Sequence, residues 1–246
     1  MAPTATKIRR IAGQSLRDEK EWLSDTFLIP FYFSMVLSWI LWGWELYKAK
    51  THSPPHLTIH FSVAIAVTGV TAIVYRRLYL RFRNLNRGER GELKVAETLD
   101  DLRAAGYHIL HDIPSSTHNI DHAVVGPAGV FVIETKYRSG YGEIEFRDGE
   151  GLFIGGRKEE NDALKQARSN ARDVSRMLKE HCGRFFWVTP LVVFVGDWKV
   201  KDNWQTTDAR VFTTDTVLRY FNRQQPMLTR SEIQLITSHL DRSVKA

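Results

Sequence analysis

Two stretches of this chain are apolar without interruption. From Thr26 to Trp44, 19 residues pass without a charge (TFLIPFYFSMVLSWILWGW), and from Leu57 to Tyr75 a second 19 carry only His60 as a titratable group. Each matches the roughly 20 residues with which a helix crosses about 30 Å of hydrocarbon. The pattern predicts two transmembrane helices, about 26–47 and 57–76, joined by a short THSPPH turn. A signal peptide would explain the first run, but that run begins late, lacks a small-residue cleavage site and is followed by another of the same length. Trp39, Trp42, Trp44 and Tyr47, with Tyr75 and Tyr79, fit interfacial aromatic belts. Pro30 is expected in the first turn, where a helix tolerates it, and His60 reads as a polar residue near the interface.

Past residue 76 the pattern changes. RRLYLRFRNLNRGER is a basic connector that continues the second span, and GELKVAETLDDLRAAG has the 3.6-residue period of an amphipathic helix. Strand signals follow in YHILHD, NIDHAVVG, GVFVIETKY, GEIEFRDG and GLFIGG, the last two joined like a hairpin around Gly149. ENDALKQARSNARDVSRMLKEH reads as a long helix closed by Gly183, WVTPLVVFVG as a strand covered on both faces, and ARVFTT as a shorter strand. Helices near 215–222 and 230–242 finish the chain. The expected architecture is α/β, a mixed sheet flanked by helices and preceded by a transmembrane helical hairpin. The segments are 1–25, the two spans within 26–76, a connector at 77–87, and a domain at 88–246.

Charge refines this picture. The chain carries a net +6, which by itself suggests a nucleic-acid partner. Residues 91–246, however, hold 21 Lys and Arg against 22 Asp and Glu, a net of −1. The basicity is juxtamembrane, in Lys7, Arg9, Arg10, Arg17 and Lys20 before the spans and in Arg76, Arg77, Arg81, Arg83, Arg87 and Arg90 after them. Anionic lipid is the simpler partner for those residues. The positive-inside rule places both termini in the cytoplasm, as a multi-pass protein of a bacterial-type plasma membrane. A single cysteine, Cys182, forms no intrachain disulfide and suits a reducing compartment.

Candidate chemistry lies in NIDHAVVGPAGVFVIETKYRSG, where acids and a lysine interrupt apolar strands. Burying such charges costs several kcal/mol unless they are paired. If GPAG at 126–129 is a four-residue loop, Val125 opposes Val130, Ala123 opposes Val132 and Asp121 opposes Glu134. Opposed residues share a face about 5 Å apart, and Lys136, two positions beyond Glu134, shares it too. Glu92 precedes Val95, Ala96 and Leu99 by three, four and seven positions, which places a third carboxylate on the apolar face of its helix. Carboxylates brought together in this way are the usual setting for a divalent cation.

These residues, with GERGELKVAETL and the Gln166–Ala167 pair, resemble the nuclease-related domain (NERD) family of the PD-(D/E)xK restriction-endonuclease-like superfamily, over roughly residues 88–195. The resemblance implies a restriction-endonuclease-like fold and a Mg²⁺- or Mn²⁺-dependent nuclease. In it Asp121 and Glu134 bind metal, Lys136 orients or activates the attacking water, and Glu92 completes the metal shell. It also places Gln166 near the site. No proline precedes Asp121, so the first half of the motif's name carries no information here. The leading expectation is a membrane-anchored enzyme that hydrolyses phosphodiester bonds on the cytoplasmic side, with DNA favoured over RNA. The alternative is a tethered binding or signalling module that does no hydrolysis.

Lys165, Arg168, Arg172, Arg176 and Lys179 recur at steps of three and four, forming one basic stripe that would track a phosphate backbone. A solvated face threaded with Asp173 and Glu180 is the blander reading. His111, Asp112, His118 and His122 suggest zinc but lack its short paired spacing, and His122 alternates away from Asp121.

Overall fold

The structure, a computed structural model, describes residues 10–51, 56–115, 119–147, 150–159, 162–201 and 208–244. Lys7 and Arg9, most of the THSPPH turn, His118 and the expected hairpin turn at Gly149 lie outside the described residues. The chain forms two compact units, one of residues 16–86 and one that combines residues 1–15 with residues 87–246.

In the first unit the helical run starts earlier than its apolar pattern suggests. Helix α1 (Gln14–Leu23) passes through one π turn at Ser24–Leu28 into α2 (Ile29–Lys50). Pro30 therefore stands in the first turn of α2, as expected, although helical hydrogen bonding runs on ahead of it through the π turn. Proline has no N–H to donate and its ring crowds the turn before it. The backbone widens just ahead, and the Ile29 N–H reaches back five residues to the Ser24 carbonyl.

Helix α3 (Leu57–Asp100) is one element, so the second apolar run, the basic connector and the amphipathic segment are not separate. No proline interrupts it, and glycines such as Gly88 and Gly91 cost only about 1 kcal/mol each in a helix interior. Within the first unit, α2 and α3 run antiparallel. Trp39 Nε1 donates to Thr68 Oγ1 at 2.9 Å and the Tyr75 hydroxyl to the Leu28 carbonyl at 3.2 Å. Trp39 and Trp42 both pack against Phe61, so part of the expected aromatic belt is spent between the helices. The outward faces are apolar, with Phe33 65% and Ile73 56% exposed. Both helical runs are long and apolar enough to cross a membrane.

The second unit is a mixed α/β domain. After a 3₁₀ turn at Asp101–Ala105 come β1 (His108–Ile113), β2 (Ile120–Gly126), β3 (Gly129–Arg147), β4 (Gly151–Ile154) and β5 (Arg157–Lys158), each antiparallel to its predecessor. Helix α4 (Ala163–Cys182) then leads to β6 (Val188–Val200), which lies parallel to β3 on the side away from β2; β7 (Arg210–Thr213) extends the sheet in parallel beyond β6. Helices α5 (Thr214–Phe221) and α6 (Arg230–Val244) follow.

The two expected strands GVFVIETKY and GEIEFRDG are one 19-residue strand, β3. Gly140 and Gly142 do not end it. Their positive φ values of 106° and 144° carry it through a shift of register with β6 between Tyr137 and Tyr141, where Trp198 covers them.

Alternation along β2 and β3 divides the core. Ala123, Val125, Val130 and Val132 pack against Val174 and Leu178 of α4 and Ile236 and Leu240 of α6. Val124, Phe131 and Ile133 pack against Val95 and Leu99 of α3 and Val217 and Phe221 of α5. Helices thus cover both sheet faces, and β3 lies at the centre.

Candidate active site

The hairpin between β2 and β3 closes as its hydrophobic pattern requires, with Val125 opposite Val130 and Ala123 opposite Val132. Gly126 pairs with Gly129 as well, so the turn is the two residues Pro127 and Ala128 rather than a four-residue loop. At the other end the ladder stops at His122–Ile133. The next position is held differently: Asp121 Oδ2 accepts from the Thr135 N–H at 2.7 Å. A side-chain carboxylate thus replaces the strand carbonyl where the hairpin opens.

Glu134 and Lys136 lie on the α4 side of β3. Lys136 Nζ donates to Glu134 Oε1 at 2.7 Å and to Gln166 Oε1 at 2.9 Å. Glu134, 2% exposed, accepts on Oε2 from Asn170 Nδ2 at 3.0 Å. Asn170 was absent from the expected site, yet it lies one helical turn beyond Gln166, and that i, i+4 spacing puts both on one face of α4.

Glu92 is buried and its Oε2 accepts from the Gly13 N–H at 2.9 Å. Burial first, then the charges of Asp112, Glu134 and Glu89, push its pKa up from 4.5 to about 7 against the opposing pull of the Gly13 N–H. Burial also raises the Asp121 pKa well above its ordinary range; Glu134 and Glu92 add to the rise, while the Thr135 N–H and Lys136 oppose it. Three acids therefore sense one another across the open end of the hairpin, with one lysine among them.

Asp112, weighed in the sequence only as part of a zinc cluster, has a different role that sequence reasoning missed: it is a buried acid with three partners. Asp112 is 1% exposed and adopts φ +51°, a conformation that Asp tolerates better than most residues. Its Oδ2 accepts from Arg10 Nη1 and from the Ser15 N–H, both at 3.0 Å, and its Oδ1 from Asn119 Nδ2 at 2.9 Å. The segment 10–15 is thereby fixed beside the site. No local pattern signals a contact that joins residues 97 and 102 positions apart.

His111 and His122 bond to each other through their Nδ1 atoms at 2.8 Å. Burial, and then His111, hold His122 well below the usual histidine pKa. Among the described residues no three His, Cys, Asp or Glu side chains form a group able to hold a metal ion. The stripe of α4 also divides. Lys165 is exposed beside the helix N-cap Asp162, whereas Arg168, Arg172, Arg176 and Lys179 line a cavity of about 420 Å³. Arg168 pairs with Asp208 and Arg176 with Asp173, each at 2.7 Å.

A mixed sheet flanked by helices, with Asp121, Glu134 and Lys136 near the open end of its central hairpin, Glu92 on the preceding helix and Gln166 on the following one, defines the α/β domain. Residues 87–195 match the family model of the nuclease-related domain (NERD), and over that span the chain carries a nuclease-related domain. Comparison with curated proteins and with solved structures found no match.

Proposed function

We propose that this protein is a membrane-anchored, metal-dependent nuclease that hydrolyses phosphodiester bonds, with DNA as its substrate. The observation that carries this reading is that Asp121, Glu134 and Glu92 raise one another's proton affinity near the open end of the β2–β3 hairpin, where Lys136 is bonded to Glu134. In a purely structural cluster each acid would be neutralised by a partner. Here Asp121 and Glu92 are each held by one backbone N–H, and both bind protons unusually tightly.

The donor set suits a hard divalent cation. Asp121 uses Oδ2 and Glu92 uses Oε2, and among the described residues neither Asp121 Oδ1 nor Glu92 Oε1 has a hydrogen bond. Mg²⁺ is commonly bound by one or two carboxylates together with water and substrate phosphate, not by a complete protein cage. A cation there would acidify a bound water and screen the charge that develops on the phosphate.

The protein's own part falls to Lys136. An ammonium has three donors, and Glu134 and Gln166 take two. The third remains for a phosphate oxygen or the attacking water. Asn170 fixes Glu134, which fixes Lys136, so the α4 face positions the lysine. The two apolar helices serve as the anchor, with the domain and both termini on the cytoplasmic face of a bacterial-type plasma membrane. The basic residues from Arg76 to Arg90 lie against anionic lipid.

One observation favours a second reading, a tethered module without hydrolysis: Glu134 is already engaged by Lys136 and Asn170. The test is cleavage of supercoiled and linear DNA in Mg²⁺ or Mn²⁺ by the full chain in detergent, beside Lys136→Ala and Asp121→Ala. Residues 10–15 belong to the site, so the full chain is needed. We expect loss of at least 100-fold in both variants. Equal cleavage by all three, or no metal uptake at millimolar concentration, would transfer the assignment to the binding module.

A further inference from the structure

Two residues after Gln166, the exposed side of α4 becomes one wall of the 420 Å³ cavity. Its opposite wall is the segment that leads into β6. In that segment the side chains alternate: Phe186 is buried in the core, while Phe185 and Trp187 on either side of it are 64% and 68% exposed. Exposed aromatic residues are ordinary when scattered singly. Here two flank the same cavity and face the cationic stripe.

The lining has four cations, Arg168, Arg172, Arg176 and Lys179, and one carboxylate, Asp208. Asp208 is occupied by Arg168, and Arg176 is occupied by Asp173. Arg172 and Lys179 are exposed and have no ion pair among the described residues. In a domain whose overall charge is close to zero, this cleft is locally positive.

We propose that the cleft binds an unpaired nucleic-acid strand, with bases stacked on Phe185 and Trp187 and phosphates held by Arg172 and Lys179. The inference rests on the nuclease reading and deepens it by naming the form of the substrate. Positive charge alone suits any polyanion; the aromatic faces make the choice. In a duplex the bases are stacked within the helix, so a flat side chain outside it meets only backbone and groove edges. An unpaired base offers its ring face, and stacking of this kind is the general mode of single-strand binding.

Length supports the same occupant. The α4 wall from Arg168 to Lys179 spans about 16 Å at 1.5 Å per residue, long enough for a short run of an extended strand. It lies on the side of α4 away from Gln166 and Asn170, which face Lys136 and Glu134. Strand addition by a second copy is disfavoured at this edge. β7 pairs with β6 only from Leu191 onward, and Pro190, the last lining residue of β6, has no N–H to offer a new strand.

The test is binding by the full chain in non-ionic detergent with EDTA present, so that neither metal nor cleavage is required. The probes are a labelled oligothymidylate of about 16 nucleotides and a duplex of equal length. We expect the oligothymidylate to bind more tightly, and Phe185→Ala with Trp187→Ala to weaken it at least 30-fold. Arg172→Ala with Lys179→Ala should reduce the slope of log K against log salt by about 1.4. All four side chains are exposed, so folding should survive, as thermal unfolding can verify.

Unchanged affinity in the aromatic pair, or tighter binding of the duplex, would overturn the proposal. Cleavage assayed in parallel separates the two readings. Aromatic-dependent binding without any metal-dependent cleavage would keep the cleft and sink the nuclease. Cleavage with aromatic-independent binding would do the reverse.

Discussion

Asp112 and Glu92 are buried carboxylates of the same domain, and each is bonded to the segment 10–15, yet their electrostatic circumstances are opposite. Asp112 receives the Arg10 guanidinium, the Ser15 N–H and the Asn119 amide. Glu92 receives one neutral N–H, from Gly13, and lies in the field of Asp112, Glu134 and Glu89. Burial therefore does not separate them; their partners do. A buried acid with a cation and two further donors is a fastening. A buried acid with one donor and several acidic neighbours is destabilising until a proton or a cation joins it.

The largest effect should come from the fastening. In Asp112→Ala, Arg10, the Ser15 N–H and Asn119 all lose their acceptor, and the left-handed backbone suits alanine less well than aspartate. Removing one member of a buried pair typically costs about 3–5 kcal/mol. For a chain of this size that is a fall in melting temperature on the order of 10 °C, measured on the full chain in detergent. An unchanged melting temperature would mean that segment 10–15 is not fastened there.

The two acids also differ in how far sequence reveals them. Glu92 is legible because a helix period puts it on the side of Val95 and Leu99. Asp121, Glu134 and Lys136 are legible because strand residues alternate and the hydrophobic pairs on either side of Pro127–Ala128 fix the hairpin register. Gln166 came with the family resemblance, and Asn170 follows from it by one helical turn. Asp112 has no such signal. Its contacts cross about 100 residues and depend on a positive φ that no periodicity encodes.

Similar limits apply to the fold. Gly140 and Gly142 have the composition of a break but form a bend, because β6 continues alongside and Trp198 covers them. The helical run that contains the first apolar stretch is longer than that stretch, because hydropathy marks where a helix becomes apolar, whereas hydrogen bonding begins at Gln14.

The second prediction has the opposite sign. A carboxyl group whose folded-state pKa is raised from 4.5 to about 7 holds its proton more tightly in the folded than in the unfolded chain. Folding is then most favourable below about pH 4.5 and loses stability as pH climbs to about 7, where the folded group ionises. Glu92→Gln keeps an oxygen for the Gly13 N–H and removes the charge. Without metal at pH 8 it should be more stable than the parent by up to about 3 kcal/mol, and near pH 4 the two should unfold together. Added Mg²⁺ should stabilise the parent more than the variant. A variant less stable than the parent at pH 8 would show that Glu92 is already compensated, as Asp112 is.

The smallest effect tests the link between the two acids. Gly13 has φ +72°, and a Cβ there would lie 3.0 Å from Glu89 Cγ. A side chain in that conformation costs about 1 kcal/mol, and the crowding displaces the one N–H that favours ionised Glu92. Gly13→Ala should therefore lower stability by about 1 kcal/mol and move the pH-dependent loss of stability toward higher pH, since Glu92 then holds its proton more firmly. In a Glu92→Gln background the same substitution should retain its steric cost and lose its effect on the pH dependence. If the shift persists there, the titrating group is another acid, with Asp121 the first to examine because its pKa is also raised. If no shift occurs in either background, the Gly13 N–H does not influence Glu92, and the segment acts on the site through Asp112 alone.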